Sequence, residues 1–290
     1  MKKPYTRLSR VAQRLRQFGL TALLAGGAAT AAHAQQLNYS TAAISASNTA
    51  GTFTDLGTTG TVIATANTDD ANSTAQDIGF AFSYNGASFT QFVLNTNGIM
   101  RLGNAAPSVA NLFANYETGQ ATGIDPISST SAADVNLLAP FNFDLQSGSA
   151  GTAEYRVTTT GTAPNQVCTI QWKNVSDKSG TINFSQYANF TFQVKLYQTT
   201  NVIEFVYNAP TASTNAGAVR FPTIGIKGSG SASGQDVLVS KAASTGAWST
   251  SVFITGVYGT TTHNFRSTVG PDAGRTYRFT PLPANDAAVS

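Results

Sequence analysis

The sequence predicts an all-β chain folded as a two-sheet antiparallel β-sandwich, and three observations predict it. Only 11% of the 290 residues are charged, too few to clothe the wet faces of long amphipathic helices. The surface falls instead to 40 Thr, 26 Ser and 21 Asn, types that suit strand faces and turns. Asn-Gly pairs at 85–86 and 97–98 join alternating segments, the strongest short-range hairpin signal because both central positions need positive φ. Finally, Phe190, Phe192, Val194 and Leu196 alternate with Thr191, Gln193, Lys195 and Tyr197, as a strand with one buried face does.

Along the chain, the first 34 residues read as a secretory signal peptide. Lys2, Lys3, Arg7, Arg10, Arg14 and Arg16 precede an apolar stretch from Phe18 to Ala32, and Ala32-His33-Ala34 is a small-x-small cleavage site. The stretch is too short and too Gly-rich for a stable membrane span. Without this segment the chain carries 11 basic against 14 acidic residues. A net −3 with no basic cluster excludes phosphate-neutralising nucleic-acid contacts, and no later apolar run reaches membrane length.

Strands follow at Thr61–Ala66, Ile78–Tyr84, Phe89–Asn95 and Ile99–Leu102. Leu137–Leu145, Glu154–Thr160 and Gln166–Lys173 come next, then Phe190–Tyr197 and Val202–Tyr207. Phe221–Lys227, Asp236–Ser240, Ser251–Val257 and Thr276–Thr280 complete the set. So many strands make one large sandwich over 35–280. Its core is expected to contain Phe190, Phe192, Val194, Leu196, Ile170 and Trp172. The long polar connections 104–134 and 207–220 are of the kind that carries function or moves. Gly228–Gly234 reads as a flexible turn, and 281–290 as a Pro-containing linker that ends at the start of a further domain.

The segments Ile78–Gly86, Phe89–Gly103, Leu138–Asp144, Ile170–Asn174 and Phe192–Tyr207 resemble a module at the N-terminus of secreted multidomain proteins of Bacteroidota. Such proteins often end in a sorting domain of the type IX secretion system, which is not found in this chain. The resemblance implies a lectin-like, jelly-roll-type sandwich and a secreted, extracellular or cell-surface location. It implies no reaction.

Chemistry is sparse. Cys168 is the single cysteine, so no internal disulfide forms, and its alternating neighbours place it in the core. His263 is the only imidazole after residue 34, which leaves little for thiolate, serine or zinc chemistry. Glu154 and Glu204 lie on strands as the acids a glycoside hydrolase would need, but there is no E-x-D-x-E cluster and solvated or capped strand-face carboxylates are the better account. Asp69, Asp70 and Asn72 supply hard oxygens for calcium, with Asp125, Asp134 and Asp144 near other loops; an ordinary polar turn is the competing reading. Trp248, in the polar stretch Thr245–Thr250, is expected to contribute a ring that stacks on a sugar, with Tyr116, Tyr187 and Tyr258 beside other loops; a core position, the commoner fate of aromatic rings, is the competing reading. The expected function is a non-enzymatic extracellular binding or adhesion module for a glycan or surface polymer. A glycoside hydrolase and a structural spacer are the alternatives.

Overall fold

The computed structural model describes residues 37–114, 124–180, 184–214, 219–256 and 263–283. These all lie within the compact unit Gln35–Ser290. The signal-peptide segment and residues 284–290 fall outside the described residues.

The elements run β1 (Ala46–Thr49), β2 (Thr61–Val62), β3 (Gln76–Tyr84), β4 (Ala87–Asn95), β5 (Ile99–Leu102), β6 (Leu137–Asn142), β7 (Leu145–Ser147) and β8 (Glu154–Thr160). They continue with β9 (Val167–Asp177), β10 (Tyr187–Tyr197), β11 (Ile203–Tyr207), β12 (Thr211–Ala212), β13 (Thr223–Lys227) and β14 (Asp236–Ser240). A 3₁₀ turn at Trp248–Thr250, β15 (Val252–Ile254) and β16 (Arg275–Phe279) close the chain. One nine-stranded sheet has the order β1-β16-β11-β10-β9-β8-β2, with β7 on β9 and β12 on β10. A seven-stranded sheet runs β15-β14-β13-β6-β5-β4-β3. Among the described residues no helix is long and apolar enough to cross a membrane.

Alternation explains which faces meet. Phe190, Phe192, Val194 and Leu196 of β10 join Ile170 and Trp172 of β9 in the shared core, as the sequence predicts. Ile78, Phe82 and Tyr84 of β3 and Ile224 and Ile226 of β13 face them from the other sheet. Buried polar tips find partners across the sandwich, as burial of a polar group demands. Trp172 Nε1 donates to Asn95 O at 3.0 Å, Tyr207 Oη to Pro140 O at 2.6 Å and Tyr84 Oη to Lys227 O at 2.9 Å. Asn85 (φ 49°) and Gly86 (φ 74°) form the first expected hairpin turn. At the second, Gly98 (φ 68°) lies so close to β6 that a Cβ would come within 2.0 Å of Phe141 O. Only glycine fits there.

One expectation is corrected and two segments are placed more closely. Leu137–Leu145 is not one strand, because Phe143-Asp144 carries the chain from β6 in one sheet to β7 in the other. The connection 104–134, in its described parts, lies over the outer face of the seven-stranded sheet. There Leu112 packs with Ile99, Leu137 and Ala139 in a second small apolar cluster. The Gly228–Gly234 stretch forms the β13–β14 turn, as expected, and is anchored on both sides. Ser229 N donates to Gln235 Oε1 at 2.9 Å, and Asn136 N donates to Gly228 O at 2.8 Å.

Candidate functional site

The acidic turn that the sequence singles out is held by the β4–β5 turn. Thr96 N donates to Ala71 O at 2.9 Å and Ala71 N to Thr96 Oγ1 at 3.0 Å, while Thr96 Oγ1 also donates to Asp69 O. Asn97 Nδ2 donates to Asp70 Oδ1 at 2.8 Å. The sheet-crossing residue Asp144 then joins Asp69 and Asp70, with carboxylate oxygens within 4.8 Å of one another. Asn72, expected as their partner, is directed elsewhere: its Oδ1 accepts from Asn95 Nδ2 at 2.7 Å. A cation already serves the trio. Lys178 Nζ lies 2.8 Å from Asp69 Oδ2 and 3.8 Å from Asp144 Oδ1. Partial burial opposes its charge, but the Asp69 hydrogen bond and the Asp144, Asp69 and Asp70 charges outweigh it and hold the ammonium above the ordinary lysine value. A calcium ion here would have to displace Lys178. Sequence reasoning missed Lys178, Thr96 and Asn97, whose signal was only the polar run beside the Asn-Gly turn.

The other named acids are tied into the scaffold. Asp125 accepts from Ile127 N at 3.0 Å and from Ser128 Oγ at 2.6 Å. Asp134 accepts from Ser108 N at 2.8 Å and Ser129 Oγ at 2.6 Å. Glu154 forms a two-pronged pair with Arg156 at 2.7 and 3.0 Å. Glu204 accepts from Tyr197 Oη and Arg278 Nη1, both at 2.6 Å. The two glutamates are not brought together. They lie on strands with β9 and β10 between them, three steps or about 14 Å across, and are offset along the strands by about 13 Å more. A hydrolytic pair needs roughly 5–10 Å.

Trp248 is a correction. Its ring is 1% exposed, stacked against Tyr277 at 6.2 Å and edge-on to His263 at 4.3 Å. The 3₁₀ turn drives the ring inward because its polar neighbours point outward, and Asn48 Nδ2 holds the turn through Trp248 O at 2.9 Å. A ring so placed offers no face to a sugar. Tyr116 and Tyr258 lie outside the described residues.

A cavity of about 290 Å³ opens between the β13–β14 turn, the 124–134 segment and the end of β15. Ile127 and Ala232 give it apolar wall; Ser128, Ser231, Ser233 and Thr255 give it hydroxyls. Asp236 contributes a carboxylate whose Oδ1 accepts from Gly256 N at 2.8 Å. Burial pushes that carboxyl above its ordinary value, against the Gly256 N–H and the charge of Lys227. Lys227 is Asp236's direct cross-strand partner, and its Nζ donates to Pro126 O and Ser129 O at 2.7 Å each. The sequence hid this site because Asp236 reads as the first residue of a strand after an uninformative Ser/Gly run.

A family model described as NIDO-related matches residues 43–281, a span that includes β1 through β16. The chain belongs to the NIDO-related family. No curated protein and no solved structure gives a match to it. Family membership fits an extracellular type of module.

In this NIDO-related domain the two usual nucleophile and base types are sealed in the core. His263 is fully buried, and its Nε2 lies 2.9 Å from Tyr277 Oη and 3.5 Å from Ser251 Oγ. Burial, with Lys241 nearby, holds the imidazole well below its ordinary value, so it stays neutral. Cys168 is equally enclosed, and burial pushes its thiol up to about 12 against a hydrogen bond from Thr159. At pH 8 roughly one molecule in ten thousand would hold a thiolate. Native protein should therefore resist iodoacetamide for hours and label only after unfolding. Rapid native labelling would show that β9 opens.

Proposed function

We propose that this NIDO-related domain is a non-enzymatic extracellular binding or adhesion module whose target is a glycan or cell-surface polymer. The observation that carries the reading is the cavity at the β13–β14 turn, where hydroxyls and one carboxylate converge in a concave site. Concavity with a few converging polar groups is what specific recognition of a small ligand requires. A pure spacer has no use for it. The glycoside hydrolase alternative loses its named acids, since Glu154 and Glu204 are each committed to an arginine and lie far apart. The resemblance to modules of exported Bacteroidota proteins supports a secreted or surface setting.

The test is a glycan-array screen of the full chain, with and without EDTA. Binding to a defined set of polysaccharides or surface glycans, without product release, is the expected result. Retention in EDTA is expected too, because Lys178 already sits against Asp69 and Asp144, where a metal ion would have to go. A blank array removes the sugar-binding reading, and release of reducing sugar would return the domain to the hydrolases.

A further inference from the structure

We propose that the cavity beside Asp236 takes a single terminal ring of a neutral saccharide, with Asp236 as the group that fixes two adjacent ring hydroxyls. This deepens the glycan reading above and rests on it.

Size comes first. A space of about 290 Å³ is about ten water volumes, at the low end of ligand pockets. It holds one sugar ring and not a run of them. The lining fits such a ring group by group. Ser231, Ser233 and Thr255 hydroxyls each donate and accept, matching sugar hydroxyls that do the same. Ile127 and Ala232 offer apolar surface to the C–H side of the ring. The fourth hydroxyl, Ser128, is committed to Asp125 Oδ2 at 2.6 Å. Asp236 accepts only, and hydroxyl-to-carboxylate bonds are short and about twice as strong as neutral ones. Its Oδ1 has a second lone pair beyond the one facing Gly256 N.

Charge decides between ligand classes. A cationic amine would suit Asp236 alone, but the Lys227 ammonium is on the directly opposed residue of β13. That ammonium already balances Asp236, while Asp125 and Asp134 also act on it. Asp125 and Asp134 are held by Ser128, Ser108 and Ser129 and do not line the cavity, so a second cation would meet Lys227 with only the already paired Asp236 facing it. An anionic sugar would instead place its carboxylate against Asp236 in a partly buried site. A neutral polyol avoids both costs.

The experiment is saturation-transfer NMR on the full chain with methyl glycosides of glucose, galactose and mannose, alongside glucosamine and glucuronic acid. At least one neutral glycoside should bind, at least tenfold more tightly than the charged sugars. Asp236→Asn keeps an acceptor for Gly256 N–H and should weaken that binding at least tenfold in a chain that still unfolds cooperatively at a temperature well above that of the binding assay. The double change Ser231→Ala/Ser233→Ala touches only exposed side chains and should weaken it at least threefold. If both variants bind as the parent does while the array stays positive, the cavity assignment is wrong and the glycan reading stands elsewhere. Tighter binding of glucosamine or glucuronic acid overturns the neutral-ring assignment. If no sugar binds and the array is blank, both readings fall together.

Discussion

Replacing Trp248 by alanine should cost about 3–5 kcal/mol of folding stability, the usual loss when a buried Trp is truncated. The ring is 1% exposed and closes the core between the sheets, with Tyr207 at 5.0 Å, Phe141 at 6.3 Å and Phe190 at 6.3 Å from its centre. Such aromatic contacts add about 0.5–1.5 kcal/mol each beyond simple burial, and β6, β10, β11 and β16 contribute them jointly. For a domain of this size the melting temperature should fall by about 6–20 °C. Denaturant unfolding should shift its midpoint with little change in slope. A melting point within a degree or two of the parent's would mean that the ring is exposed in solution, which would reopen its role as a sugar platform.

The second large effect concerns Arg220. Its Nε lies 3.3 Å from Asp177 Oδ2, and both side chains are fully enclosed. Its Nη2 donates to Lys178 O at 3.1 Å, and the guanidinium sits 5.6 Å from the Phe143 ring centre. Asp177 is further engaged by the N–H groups of Gln186 and Tyr187 at 2.8–3.0 Å. Arg220→Met leaves a buried carboxylate with its backbone bonds but without its counter-charge, a loss of about 3–5 kcal/mol at pH 7. The cost should depend on pH in a definite direction. Burial already pushes the Asp177 carboxyl above its ordinary value, and the Arg220 charge opposes that push. Without the guanidinium the folded-state value rises further, while the unfolded value stays near about 3.9. Between those two values the folded variant binds the extra proton, so acidification stabilises it there. The deficit of Arg220→Met relative to the parent should thus be largest above that window and shrink as pH falls through it. Arg220→Met/Asp177→Asn should lose less than Arg220→Met alone at pH 7, with this dependence gone. A flat deficit across pH would contradict the assignment of Asp177 as the stranded charge.

Much of the scaffold was legible because its signals are local. The Asn85-Gly86 turn, the alternation of Phe190 to Tyr197 and the β8–β9 hairpin each follow from a few adjacent residues. The β1 and β12 segments gave no such signal: ASNT and TA are polar and become strands only because β16 and β10 offer them edges. The site was less legible for the same reason. Asp69 and Asp70 were visible as an oxygen-rich turn, yet their partners Asp144 and Lys178 arrive through the sheet-crossing at Phe143-Asp144 and the end of β9. Trp248 misled because a polar neighbourhood in sequence became a 3₁₀ turn that points one ring inward. Asp236 gained meaning only when β13 placed Lys227 opposite it.

The pairing of β1 with β16 has a mechanical consequence. Ala46 lies opposite Phe279 and Thr49 opposite Thr276, so the entering and leaving chain part at the same end of the pair. Thr280 N to Ser45 O and Leu282 N to Asn38 O, each 2.7 Å, extend that seam outward. Tension applied through residues 38 and 282 would load one rung at a time, peeling the seam like a zip rather than shearing all its rungs together. A tether passing through this domain would therefore lengthen under modest force, beginning at β1 and β16. Leu37, beside the seam's outermost bond, donates its N–H to Gly234 O of the β13–β14 turn at 3.2 Å, so the first point of yield is coupled to that turn. The seam is a place to give way, not to hold.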